Sequence, residues 1–218
     1  MKKINIAIDG PSGSGKSTAA KAVAKELGLK YINTGLVYRS IAFYVIDNSI
    51  PLKEKDIVNS LKDIKIKLLR FEKVDLNGQK LFDELREDKV SKVAAIVASM
   101  TPVREFALKI QRYYASTKGI VMDGRDTTFK IMPKADLKIF LDTDVKERAK
   151  RRVNQNKSLG YDINYDEVLK EIKARDKLDR NRKKDPLHKT KDAILIDSTN
   201  ISLEEVIEKI IKLAKERL

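Results

Sequence analysis

The stretch Gly10-Pro11-Ser12-Gly13-Ser14-Gly15-Lys16-Ser17 constrains the fold more than any other part of the chain. It fits G-x-x-x-x-G-K-[ST] and stands between two different periodicities. Ile4 to Ile8 is a short, apolar, β-branched run ending in Asp9-Gly10, which predicts a buried strand entering a turn. From Lys16 to Leu27, apolar Ala19, Ala20, Val23, Ala24 and Leu27 recur at helical spacing. Between a strand and a helix, the glycines let successive backbone N–H groups face one concavity, and the helix N-terminus adds roughly half a positive charge there. The triphosphate-binding set is thus Gly10, Pro11, Ser12, Gly13, Ser14, Gly15, Lys16, Ser17 and Thr18. Lys16 can reach the β- and γ-phosphates, and Ser17 suits magnesium, a hard cation that takes few protein oxygens. A dinucleotide fingerprint is excluded, because Gly13-Ser14-Gly15 runs into Lys16, Ser17 and Thr18 without a third glycine.

Three further buried strands are predicted at Ile120 to Met122, Leu137 to Leu141 and Ala193 to Ile196, with a shorter one at Tyr31-Ile32. Helical patterns lie between them, so the expected core is a parallel sheet covered by helices. Thr101-Pro102 reads as an N-cap with proline at the first helical position, opening a helix toward Thr117. Ser202-Leu203-Glu204-Glu205 is a capping box, and Val206, Ile210, Leu213 and Ala214 supply the buried stripe of a terminal helix. Between Ile50 and Phe82, Ile64, Ile66 and Leu68 alternate with charged residues, and Asn77-Gly78 separates two short alternating runs. That predicts a type I′ hairpin in a small antiparallel insertion. Arg148 to His188 is dense in charge and reads as a mobile helical flap or as a solvated helical hairpin. With no repeat, linker or low-complexity tail, one domain over 1–218 is expected, with an insert at about 40–100 and a lid at about 148–185.

Composition narrows the chemistry. There is no Cys, and His188 is the lone histidine, so any metal must rest on oxygen ligands. Lysines and arginines number 46 against 32 acidic residues, a net +14 that would attract nucleic acid, anionic membrane or small polyanions. The arginines are more telling than the lysines, because a planar fork binds phosphate bidentately. Arg39, Arg104, Arg125, Arg148, Arg151, Arg152, Arg175 and Arg182 stand beyond the glycine loop. Arg148 with Arg151 and Arg152, and Arg175 with Asp179 and Arg182, fall at spacings that share a helix face, where like charges need an anion or carboxylate to offset them. Asp123 closes the strand 120–122 on the edge where parallel sheets bind ligands, and could hold a magnesium-bound water or merely cap a loop. Phosphoryl transfer asks for positioning and cancellation of charge, so Lys16, Arg125, Arg151 and Arg152 suffice as a catalytic set without a Ser/His/Asp constellation. Met1-Lys2-Lys3-Ile4 enters the first strand without a leader, and no apolar run approaches the roughly 18 residues that span a bilayer, so a cytoplasmic protein is expected.

An ordered series of motifs then resembles the bacterial cytidylate kinases over nearly the whole chain. It comprises Ile8-Asp9-Gly10 through Ser17, Asn33-Thr34-Gly35-Leu36-Val37-Tyr38-Arg39, Met122-Asp123-Gly124-Arg125-Asp126 and Leu137-Lys138-Ile139-Phe140-Leu141. Arg175-Asp176-Lys177-Leu178-Asp179-Arg180-Asn181-Arg182 and the tail Asp192-Ala193 with Ile196-Asp197-Ser198 complete it. The resemblance implies a monomeric ATP- and Mg2+-dependent phosphotransferase acting on CMP or dCMP, with neither nucleic acid nor membrane as partner. It implies an α/β fold: a three-layer P-loop core with a five-stranded parallel sheet, a small antiparallel insert and a helical lid. It assigns Thr34, Tyr38, Arg39 and Arg125 to the acceptor phosphate, Arg175 and Asp179 to the ribose, and Arg104 and Asp126 to cytosine; Arg182 joins this acceptor-binding set, while the metal falls to Ser17 and Asp123 as read above. A carboxylate accepts from the exocyclic amine of cytosine, and a guanidinium donates to its ring nitrogen and carbonyl, whereas uracil would set a carbonyl against the carboxylate. The chain departs from the family at Ala95, where a serine is common, and at Thr127-Thr128-Phe129, where an X-Gly-Thr turn is usual. A different loop conformation after Asp126 is expected, and the choice between CMP and UMP stays open. Two other readings are a P-loop kinase for UMP, AMP or shikimate, and a basic P-loop ATPase acting on nucleic acid, whose binding would be salt-sensitive.

Overall fold

The computed structural model describes residues 3–69, 72–158 and 163–218. Met1 and Lys2, residues 70–71 of the predicted insertion and residues 159–162 of the predicted flap lie outside them. The chain runs β1 Ile6–Asp9, α1 Lys16–Glu26, β2 Lys30–Asn33, α2 Gly35–Asp47, α3 Glu54–Ser60, β3 Ile66–Leu68, β4 Val74–Leu76, β5 Gln79–Leu81 and α4 Asp88–Val97. It continues through α5 Thr101–Ala115, β6 Ile120–Gly124, β7 Leu137–Asp142, α6 Val145–Ser158, α7 Tyr165–Asn181, β8 Ile194–Asp197 and α8 Leu203–Lys215. Two compact units form, one from Met1–Tyr31 with Thr117–Leu218 and one from Ile32–Ser116.

The main sheet has the order β2-β6-β1-β7-β8. Registered partners run parallel across it, Ile6 with Val121 on one side and Leu137 on the other, then Ile139 with Ile194. Side chains two apart share a face, so Ile4, Ile6 and Ile8 line up with Leu137, Ile139 and Leu141, and Ala19, Ala20, Val23, Val206, Ile210 and Ala214 of α1 and α8 pack against them. Phe140, of opposite parity, packs with Leu187 and Ala193. Each fully buried Ile or Leu contributes about 1.5–3 kcal/mol. That outweighs the weak start of α1, which leaves Gly15 at φ 84 with no side-chain cap. The orphan N–H groups of that turn stay available for an anion. At the other end of the chain the predicted capping box is present: Ser202 Oγ accepts from Glu205 N at 3.1 Å, and Glu205 Oε2 accepts from Ser202 N at 2.7 Å.

In the second unit, β3, β4 and β5 form an antiparallel sheet in that order. Leu76 pairs with Gln79 across Asn77 and Gly78, whose φ angles of 51° and 92° are the two positive values a type I′ turn requires. Leu76, Leu81, Leu85, Val97, Val103 and Ala107 join Val37, Ile41 and Val45 in one core. The predicted cap of α5 is corrected by one residue. Met100 is the N-cap, in extended backbone, and Thr101 is already helical with Pro102 in the first turn. Met100 is buried in this unit's core, and that burial rather than a hydroxyl sets where the helix begins. Among the described residues no helix is long and apolar enough to cross a membrane.

Candidate active site

The strands end on carboxylates: Asp9 closes β1, Asp123 is the penultimate residue of β6, and Asp142 and Asp197 close β7 and β8. The register sets Asp9 beside Gly124, so the glycine loop after β1 and the Arg125 loop after β6 leave the same edge of the sheet. Gly10 cannot carry a side chain, since a Cβ would sit 2.0 Å from the Leu141 carbonyl oxygen.

Lys16 is buried, and its ammonium donates to the Pro11 carbonyl at 2.6 Å and the Ser14 hydroxyl at 3.3 Å. Burial first, and Arg125 second, hold its pKa well below the usual lysine range, while Asp123, Asp179 and Asp9 pull it back. An amine in that state gains most from an arriving anion. Ser17 donates to Asp123 Oδ2 at 2.6 Å, and the Tyr31 phenol donates to Oδ1 at 2.8 Å. Burial pushes the Asp123 carboxyl up, and the Ser17 bond, Lys16 and the Tyr31 bond offset this only in part. The Ser17 hydroxyl and the Asp123 carboxylate are adjacent hard oxygen donors. Among the described residues there is no group of three or more His, Cys, Asp or Glu that could hold a metal. This pair therefore suits a magnesium ion that completes its shell with water and phosphate oxygens.

Arg125 donates through Nε to Asp179 Oδ2 at 2.7 Å and through Nη1 to the Gly124 carbonyl at 3.3 Å. Burial alone would raise the Asp179 carboxyl, but Arg125, then Arg175 and Arg182, outweigh it and hold the group below its ordinary value. Arg182 lies 3.9 Å from both Asp179 and Asp126 and binds the Asp185 carbonyl. The first unit thus gathers Arg125, Asp126, Arg175, Asp179 and Arg182 into one network of alternating charge.

Residues Thr127–Ile131 form a π-helical turn. The fully buried Asp9 carboxylate accepts from Thr127 N at 2.8 Å, Thr128 N at 2.8 Å and Thr128 Oγ1 at 2.7 Å. Asp9 therefore registers the loop that carries Arg125 and Asp126 against the start of the glycine loop. Sequence reasoning missed this role, although a carboxylate ending an apolar strand was the available signal.

The arginines of α6 differ in their bonding. Arg148 is buried and bonds the Thr143 carbonyl at 2.9 Å, the Ser12 carbonyl at 2.8 Å and the Asp176 carboxylate at 2.6 Å. Asp176 in turn accepts from Ser12 N at 3.4 Å, so both α6 and α7 are tied to the glycine loop. Arg151 binds Glu147 at 3.2 Å and the Ser198 carbonyl at 2.6 Å, while Arg152 is half-buried.

Within the second unit, Thr34 is the buried N-cap of α2, and its carbonyl accepts from Gln111 at 3.1 Å. Tyr38 and Arg39 follow within the next turn. The Arg104 guanidinium lies 5.7 Å from the Tyr38 ring centroid, so these two expected site residues are brought together. Arg39 donates to the Leu85 carbonyl at 2.6 Å and to Ser91 Oγ at 2.8 Å. Ser91 lies one helical turn before Ala95, so α4 does offer a hydroxyl on that side, a residue the sequence reading passed over.

A glycine loop between β1 and α1, the β2-β6-β1-β7-β8 sheet and the helix pair α6–α7 define a P-loop kinase of the three-layer class. A gluconokinase from Sinorhizobium meliloti 1021 shares this fold with a TM-score of 0.50 and 17% identity, covering 99% of this chain and 94% of that chain. The family model described as cytidylate kinase matches residues 6–216, and the chain belongs to the cytidylate kinase family. Relatives named cytidylate kinase include one from Mycoplasmopsis synoviae (strain 53), 51% identical over 98% of this chain and 99% of its own. Another, from Mycoplasmopsis agalactiae (strain NCTC 10123 / CIP 59.7 / PG2), is 49% identical over 99% of each.

Proposed function

We propose that the chain transfers the γ-phosphate of ATP to CMP or dCMP, giving ADP and CDP or dCDP. The observation that carries this reading is the convergence of Lys16, the Ser17–Asp123 pair and the Arg125–Asp179 pair at one sheet edge, in a chain matched to the family over residues 6–216. The glycine loop would bind the ATP phosphates through its N–H groups, and Lys16 would meet the charge that builds on the transferred group. Magnesium, held by Ser17 and Asp123, would supply neutralisation of the phosphate oxygens. Arg125, Thr34, Tyr38 and Arg39 are assigned to the acceptor phosphate, Arg175, Asp179 and Arg182 to the ribose side, and Arg104 and Asp126 to the base. The region of about 40–100 is the proposed acceptor insert, and about 148–185 the lid. Family resemblance supports a single chain working in the cytoplasm.

The test is ADP formation from ATP and magnesium with CMP, dCMP, UMP, AMP, GMP, shikimate or no acceptor at matched concentrations. Selective turnover of CMP and dCMP is expected; hydrolysis without an acceptor, or preference for another acceptor, would replace this reading.

Lid closure would exclude water and bring Arg151 and Arg152 to the moving phosphoryl group. Arg152→Ala should therefore lower kcat at least about tenfold. Unchanged turnover in that variant would remove Arg152 from the catalytic machinery.

A further inference from the structure

The side chain that bonds the Asp123 oxygen not bonded by Ser17 belongs to none of the motifs assigned above. Tyr31 lies in β2, next to β6 in the sheet, and packs partly buried against the main core. Its phenol donates to Asp123 Oδ1 at 2.8 Å, while Ser17 donates to Oδ2 at 2.6 Å. The two donors come from different elements and use different oxygens, so together they fix the rotation of the carboxylate about its own axis as well as its direction. A metal site is sensitive to this, because ligands must be held to about 0.5 Å and 10–20° for the ion to bind well.

We propose that Tyr31 is a positioning residue of the magnesium site, acting through Asp123 and not on either nucleotide. The inference rests on the reading of Ser17 and Asp123 as the residues that hold the ion. It predicts that metal affinity, not acceptor binding, is what the phenol supports. Outer-shell hydrogen bonds to metal ligands typically contribute about 10–100-fold in metal affinity.

Tyr31→Phe isolates the effect, since the ring that packs in the core is kept and only the hydroxyl is lost. Mn2+ binding is followed by the EPR signal of the free ion in enzyme loaded with a non-hydrolysable ATP analogue. The free Mg2+ concentration for half-maximal turnover is measured in parallel. Binding of Mn2+ should weaken about tenfold and the half-activating Mg2+ should rise by a similar factor. At saturating Mg2+, kcat should stay within about threefold of the unmodified enzyme and KM for CMP should not move. Asp123→Asn is the control. If Asp123→Asn weakens Mn2+ binding and Tyr31→Phe does not, Tyr31 has no part in the site; if neither weakens it, the assignment of the metal to Asp123 falls as well. A fall in kcat that saturating Mg2+ does not relieve would also overturn the proposal.

Discussion

Lys16→Ala should turn over roughly a hundredfold more slowly or worse at saturating ATP and CMP, a loss of about 2.7 kcal/mol or more of transition-state stabilisation. The size follows from where the ammonium sits. It is buried at the start of α1, bonded to the Pro11 carbonyl and the Ser14 hydroxyl, two neutral oxygens of the loop itself. Burial and Arg125 disfavour its charge. A phosphoryl group arriving there favours the charged form, and the interaction grows as charge builds in the transition state. The variant should nonetheless fold. Removing a cation that burial already disfavours relieves a desolvation cost, so thermal unfolding should shift far less than activity. Steady-state kinetics beside a melting curve separates the two. Turnover near that of the unmodified enzyme would eliminate Lys16 as the source of charge stabilisation, and a collapse in stability would mean that its bonds to Pro11 and Ser14 matter chiefly to the loop.

What the sequence discloses and what it hides divide along the distance between partners in the chain. The glycine loop is legible because its strand, turn and helix are contiguous, and each declares itself by period. The Asn77-Gly78 turn and the Ser202–Glu205 box are legible for the same reason, every bond lying within a few residues. The cap of α5 misleads by one position because a tertiary force, the burial of Met100, outvotes the local preference of Thr101 for a cap. The contacts that organise the site are of another kind. Asp9 reaches Thr127 across 118 residues, Tyr31 reaches Asp123 across 92, and Arg148 reaches Ser12 across 136. No periodicity encodes such pairings. They exist because the parallel sheet gathers the carboxyl ends of distant strands at one edge. Residue type does leave a trace, since apolar runs that end on Asp mark that edge, but not which partner each carboxylate will find.

Arg148 shows how much hangs on one such pairing. Arg148→Met, which keeps most of the aliphatic stem, should destabilise the protein by about 3–5 kcal/mol, read from the urea midpoint. The expected cost exceeds that of an exposed ion pair, typically under about 1 kcal/mol, because the guanidinium and Asp176 are both largely shielded from water. Loss of the cation takes from Asp176 its ion-pair partner, leaving it the Ser12 N–H and the field of Arg125, and strips the Thr143 and Ser12 carbonyls of a donor. Arg148→Met combined with Asp176→Asn should cost less than the two single losses added together, because the second change removes the charge that the first leaves unpaired. The consequence extends to function. Ser12 is held through its carbonyl by α6 and through its N–H by α7, so the helices assigned to the lid also set the shape of the phosphate loop. KM for ATP should rise in the single variant well below its unfolding midpoint, while KM for CMP moves less. A loss of stability under about 1 kcal/mol would show that the pair is merely tolerated in the interior, and an unchanged KM for ATP would confine Arg148 to folding.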